Sequence, residues 1–305
     1  MTPAARRLPL LLGVLAGLVC LGFAAFTRHA WEDYYITFRA SLNLATGHGL
    51  VFQPGERVHT FTSPLGTLLP ALFALGGGED VATRSLWLFR LVSAAALGGA
   101  IFLAARLMVR GALASLAIGV AGAAWACDAK TIDFSINGME SALLIFFIVF
   151  TWRALNDGAR LWPCALAFAG LQWTRPDGCV FFAVLALAWW WLGATDIVGW
   201  RQRLQKLVRA GALGLVLYLP WIAFAWWYYG SPIPHTIQAK VSHHGAGELL
   251  STLALYPWRL LFGDVALHDV FMPAYFFFGG WPSALRWFAR LLAVGGALAW
   301  LWPQV

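Results

Sequence analysis

Glu32 and Asp33 stand side by side in a chain of 305 residues of which only 11% are charged. They follow an apolar run long enough to cross a membrane. A carboxylate held at a membrane–water interface could act as a general base, taking the proton from an acceptor hydroxyl presented to a lipid-borne substrate. An ionised side chain close to hydrocarbon is costly, which makes such a position a candidate site. The plainer reading is a helix start: Asp33 as an N-cap, favoured by the free N–H groups and the helix dipole, with Glu32 a solvated neighbour.

Three further patches carry polar chemistry. In "VFQPGERVHTFTSP" (51–64), Pro54-Gly55 makes a turn from which Arg57 and His59 project. "TRPDG" (174–178) sets Arg175 and Asp177 in a tight turn, either as ligand-binding groups or as an internal ion pair closing a hairpin. In "WWYYGSPIPHTIQAKVSHH" (226–244), the aromatics read as an interfacial belt, and Gly-Ser-Pro-Ile-Pro ends the helix. His235 and Lys240 follow, and a lysine can meet a phosphate as a point charge. His243 and His244 are adjacent, point apart on helix or strand, and make no metal site by themselves. Cys20, Cys127, Cys164 and Cys179 show no CxxC pairing and read as small hydrophobes.

The elements that must position these residues are membrane helices. The composition is 60% hydrophobic with 18 Trp and 22 Phe. Residues 8–26 contain no charge, and a span needs about 20 such residues. That run exceeds a signal-peptide core and many apolar segments follow it, so an uncleaved first span is expected. Candidate spans are 8–26, 85–105, 111–127, 138–155, 159–174, 178–193, 210–229 and 286–302, with 268–282 a less certain ninth. Residues 64–77, interrupted by Pro70, are expected as a juxtamembrane helix.

With these boundaries the clusters Arg6/Arg7, Arg106/Arg110, Arg153/Arg160 and Arg201/Arg203/Lys206/Arg209 all fall on the cytoplasmic side. The net charge of +7 then reads as topology, and nucleic acid is not expected as a partner. The expected fold is an all-α polytopic membrane protein. It is a single domain over 1–305, with a first outer loop at about 27–84, another at about 230–267, and no separate soluble domain. On the first loop, Tyr35, Phe38, Leu42 and Ala45 predict a helix lying aromatic side down on the membrane and stopped by Gly47 and Gly49.

"EDYYITFRASLNLATGHGLVFQPGERVHTFTSPLGTLL" (32–69) resembles the first outer loop of bacterial GT-C glycosyltransferases that use polyprenyl-phosphate sugars. The pattern is closest to terminal arabinofuranosyltransferases and mannosyltransferase-like proteins of cell-envelope synthesis. "NGMESALL" (137–144), "TRPDG" and "YYGSPIPHTIQAK" (228–240) match further blocks in the same order. The resemblance implies a GT-C-like bundle of about 8–9 transmembrane helices in the bacterial inner membrane. The N-terminus would be cytoplasmic and the site on the periplasmic or outer face. Such proteins usually continue into further spans and often an outer soluble domain, which this sequence lacks; the abrupt stop after a hydrophobic stretch suggests a longer protein.

The implied chemistry is inverting transfer from a polyprenyl-phosphate-linked sugar to a glycan, lipid or protein acceptor among the membrane lipids. Asp33 would be the base and Glu32 the runner-up. Arg175, Lys240 and His235 would hold the donor phosphate, with Arg57, His59 and Asp177 as weaker substrate contacts. Related enzymes differ in needing a divalent metal, which the Glu32/Asp33 pair could hold loosely. A lipid phosphate is already a leaving group, so no nucleotide fold or Gly-rich phosphate loop is needed. The competing reading is a transporter or lipid flippase without chemistry, for which Glu140 would be the pathway residue.

Overall fold

A computed structural model describes residues 3–108, 118–119, 122–123, 125–126, 129–193, 197–241 and 255. The described residues are helical, with no strand among them. Helix α1 is Pro3–Thr27, α2 Glu32–Ala45, α3 Pro64–Ala74, α4 Val81–Met108 and α5 Ala129–Ile136. Then follow α6 Ser141–Asn156, α7 Leu161–Thr174, α8 Gly178–Gly193, α9 Ile197–Tyr229 and α10 His235–Val241. Helices α1, α4 and α9 are long and apolar enough to cross a membrane. Helices α6, α7 and α8 have 16, 14 and 16 residues, shorter than a comfortable span of about 20.

The chain divides into two compact units, residues 1–127 with 131–238, and residues 128–130 with 239–305. The second lies almost wholly outside the described residues, as do the expected spans 268–282 and 286–302 and most of 111–127. In the first unit α1 packs on α4, α4 on α6, α6 on α7, and α7 on α9. The α1–α4 contact is close because Gly13 and Gly98 face each other: a Cβ on either would lie 2.6 Å from the other's carbonyl oxygen. Small residues at such a crossing let two backbones approach where no hydrophobic effect drives helices together.

Helix ends follow local chemistry. Ser63 caps α3, its hydroxyl accepting from the Gly66 N–H at 2.9 Å, and Pro64 occupies the first helical position. Helix α7 stops because Arg175 precedes Pro176 and is held extended, at φ −153° and ψ 140°. Helix α9 runs to Gly230, whose φ of +76° ends it. It also begins earlier than the expected 210–229, and its first turns carry Arg201, Arg203, Lys206 and Arg209.

The helix expected on the first loop is α2, but its buried side differs from expectation. Tyr34, not Tyr35, joins Phe38, Leu42 and Ala45 in one cluster with Ala74 and Leu86, while Tyr35 is 53% exposed. The N-cap is Trp31, with no side-chain cap. Asp33 therefore sits inside the first turn, and the N-cap role expected for it is not the one it has. The loop after α2 folds back on the helix. Asn43 Nδ2 donates to the carbonyls of Val51 (2.8 Å) and Phe52 (3.0 Å), and Arg39 Nε to Phe52 (3.1 Å).

Candidate active site

Glu32 and Asp33 form the exposed first turn of α2, and among the described residues neither carboxylate has a hydrogen bond or ion pair. The two point differently. Asp33 lies seven residues before Ala40, two helical turns along the same face, and Ala40 is fully buried against Leu50, Phe61 and Trp221. Glu32 shares its face with Ile36, Arg39 and Asn43, the last two holding the returning 51–52 loop.

What positions this turn is a buried cation that the hydropathy pattern hides. Arg90, 2% exposed within α4, donates through Nε to the Ile136 carbonyl (3.0 Å) and through Nη2 to the His29 carbonyl. Its guanidinium also stacks 4.9 Å over the Trp87 ring. Beside that clamp the Trp31 N–H donates to the Asn137 carbonyl at 3.0 Å, and the Trp31 ring lies 5.2 Å from that of Phe134. Tyr34 rests on Gly138, where φ is +102° and a Cβ would come within 2.6 Å of the tyrosine ring. One more carboxyl belongs to this neighbourhood. Asp133 on α5 is half-buried beside His29 and Trp31; burial pushes its carboxyl above the usual range, and His29 and Trp31 pull it back. Nothing in its spacing marked it in advance.

The same short segment, Asn137–Glu140, ends at a second carboxylate centre. Glu140, 6% exposed, accepts from Arg175 Nη1 at 3.1 Å. Asp177 takes the other edge of that guanidinium, its Oδ1 2.9 Å from Nε and its Oδ2 3.2 Å from Nη2. The Glu140 carboxylate reaches the start of α3, where a Cβ on Gly66 would lie 3.5 Å from Oε2. Of the two readings open for "TRPDG", the ion pair is the arrangement present, enlarged by Glu140. Between them Glu140 and Asp177 take three N–H groups of the one guanidinium.

His59 and His235 are brought together across the chain. The His59 N–H donates to His235 Nδ1 and the His235 N–H donates to the His59 carbonyl, both at 3.0 Å. Because Nδ1 accepts, the proton of the neutral His235 ring belongs on Nε2, leaving that N–H as a donor on a half-buried side chain. His59 itself is 1% exposed, stacked 4.5 Å from Tyr229, and burial together with His235 lowers its pKa to about 4. It is a packing residue. Arg57 is exposed and lies 4.9 Å over the Tyr228 ring. The Lys240 side chain and His243/His244 lie outside the described residues.

Among the described residues, no group of three or more His, Cys, Asp and Glu side chains could hold a metal ion.

The chain is 30% identical over 246 residues to a terminal beta-(1->2)-arabinofuranosyltransferase of Corynebacterium glutamicum, a match covering 72% of this chain and 34% of the relative. It is 29% identical over 277 residues to the enzyme of that name from Mycobacterium tuberculosis, covering 82% and 40%. The chain is similar to terminal arabinofuranosyltransferases. The resemblance drawn from the first outer loop holds, and it makes this chain a distant relative of membrane glycosyltransferases. The matched region is well under half the length of the curated relatives. No protein-family model and no solved structure matches the chain.

Proposed function

We propose that this chain acts as an inverting GT-C-type membrane glycosyltransferase, with Asp33 as general base. It transfers a sugar from a polyprenyl-phosphate donor to a cell-envelope acceptor on the outer face of the membrane. The observation that carries the assignment is the contrast among carboxylates. Glu140 and Asp177 are committed to Arg175, whereas Asp33 is exposed, without a partner among the described residues, and fixed in a helical turn. Its face of α2, the one leading to buried Ala40, favours it over Glu32.

In this reading the acceptor hydroxyl gives its proton to Asp33 as its oxygen attacks the anomeric carbon from the side opposite the departing phosphate. The C–O bond to phosphate breaks, the configuration inverts, and polyprenyl phosphate leaves with the bonding pair. Positioning and proton removal supply most of the rate, because the leaving group is already good. The N–H at His235 Nε2 is offered to a phosphate oxygen. Arg175 retains two N–H groups after its three to carboxylates, but its charge is already matched, so its part is to hold the 174–178 turn.

The test is to incubate membranes containing the chain with labelled polyprenyl-phosphate arabinofuranose and an arabinan acceptor, and to read the anomeric configuration of the product by NMR. The proposal expects a new linkage of inverted configuration. A retained configuration overturns the mechanism. Movement of intact labelled lipid between leaflets with no new linkage favours the transporter reading.

A further inference from the structure

At the opposite end of α6 and α8 from the carboxylates, a groove of about 290 Å³ opens between the two helices, lined chiefly by Trp152, Leu155, Leu185, Trp189 and Leu192. Two cations from α9 stand at its rim. Arg203 lies over Trp189 itself, its guanidinium carbon 4.3 Å from the ring centroid, and Nη1 donates to the Trp189 carbonyl at 2.7 Å. Lys206 Nζ donates to the carbonyl of Gly158 at 3.0 Å, two residues beyond groove-lining Asn156.

Both cations are held by backbone carbonyls, and among the described residues neither is paired with a carboxylate. Asp157, the neighbour of Gly158 in the chain, is engaged by Arg153 at 2.6 Å. Among the described residues the rim therefore keeps its positive charge over an apolar slot, with N–H groups of a guanidinium and an ammonium left to offer.

We propose that this groove is a binding site for an anionic phospholipid. One acyl chain would lie along Trp152, Leu155 and Leu192, with the phosphodiester on Arg203 and Lys206. An anion supplies the charge that the rim lacks, and a planar guanidinium suits phosphate oxygens. Tryptophan beside a cation at a groove mouth is the arrangement expected at headgroup depth. Free phosphate would answer the cations but leave the apolar slot unfilled, so the lipid is the occupant that both halves fit. The inference does not depend on the transferase reading.

The experiment is native mass spectrometry of the detergent-purified chain, offered equal amounts of phosphatidylglycerol and phosphatidylcholine with matched acyl chains. Two cations near a headgroup predict a preference for phosphatidylglycerol of about thirtyfold. Arg203→Gln with Lys206→Gln should bring the ratio close to parity, and Lys206→Arg and the remote Arg84→Gln should keep it. Millimolar inorganic phosphate or glycerophosphoglycerol should fail to displace the lipid. Equal retention of the two lipids by the unaltered chain overturns the proposal, as does a double variant that keeps the preference. Displacement by the headgroup alone would reduce the site to an anion contact and overturn the acyl-chain half.

Discussion

Single side chains decide how this site can work, and their partners were the least legible part of the sequence. Glu140 and Arg175 are 35 positions apart, and local spacing does not reveal such a pairing; it shows only the Arg175–Asp177 turn. Glu140→Gln should destabilise the protein by about 2 kcal/mol, the scale of a lost charge-assisted hydrogen bond. Thermal unfolding in detergent would show this as a lowered midpoint, and Glu140→Asp should recover less than half because its carboxylate is a methylene short of Arg175. His59 gives a pH prediction. Its pKa falls from 6.5 outside the fold to about 4 within it, so between those values the unfolded chain binds a proton that the folded chain refuses. Stability is then complete above pH 6.5 and declines as pH falls toward 4, by on the order of 3 kcal/mol. His59→Phe should flatten that slope in unfolding midpoints measured from pH 4 to 7.

At the scale of elements, apolar runs were read well and their trimming less so. The expected spans 8–26, 85–105 and 210–229 fall within α1, α4 and α9, because an uninterrupted apolar run at helical spacing has few other solutions. The start of α9 was missed because Arg201, Arg203, Lys206 and Arg209 end the hydropathy signal while leaving helix propensity intact. Arg90 went unremarked for the converse reason: one charge within a long apolar run barely alters it, and its carbonyl partners lie 46 and 61 positions away. The one-residue shift from Tyr35 to Tyr34 depends on Gly138, whose missing Cβ makes room for the Tyr34 ring. Gly138→Ala combines that collision with a left-handed φ of +102°, and should cost about 2–3 kcal/mol. Hydrogen exchange should then rise in residues 31–38 and 134–140 while the α1–α4 pair keeps its protection; uniform exchange across these segments would contradict the contact.

For the whole molecule, the described helices and the similarity to terminal arabinofuranosyltransferases agree on a helical membrane protein related to glycosyltransferases. The resemblance was legible because the blocks that suggested it are local and ordered: "EDYYITFR", "NGMESALL" and "TRPDG" are each a contiguous word in this sequence. What those words build together was not legible. "NGMES" joins the two carboxylate neighbourhoods. Asn137 and Gly138 seat the first turn of α2, and Glu140 holds the turn after α7. The cationic end of α6, α8 and α9 forms a separate surface, with its own ligand chemistry.

The central claim is that Asp33 removes the acceptor proton. The most direct measurement is the rate of sugar transfer from polyprenyl-phosphate arabinofuranose by membranes carrying equal, correctly inserted amounts of unaltered chain, Asp33→Asn and Glu32→Gln. The account predicts that Asp33→Asn lowers the rate by about 10²–10⁴-fold, the range of a lost general base, with Glu32→Gln within a few-fold of the unaltered chain. Transfer by Asp33→Asn at the unaltered rate would contradict it.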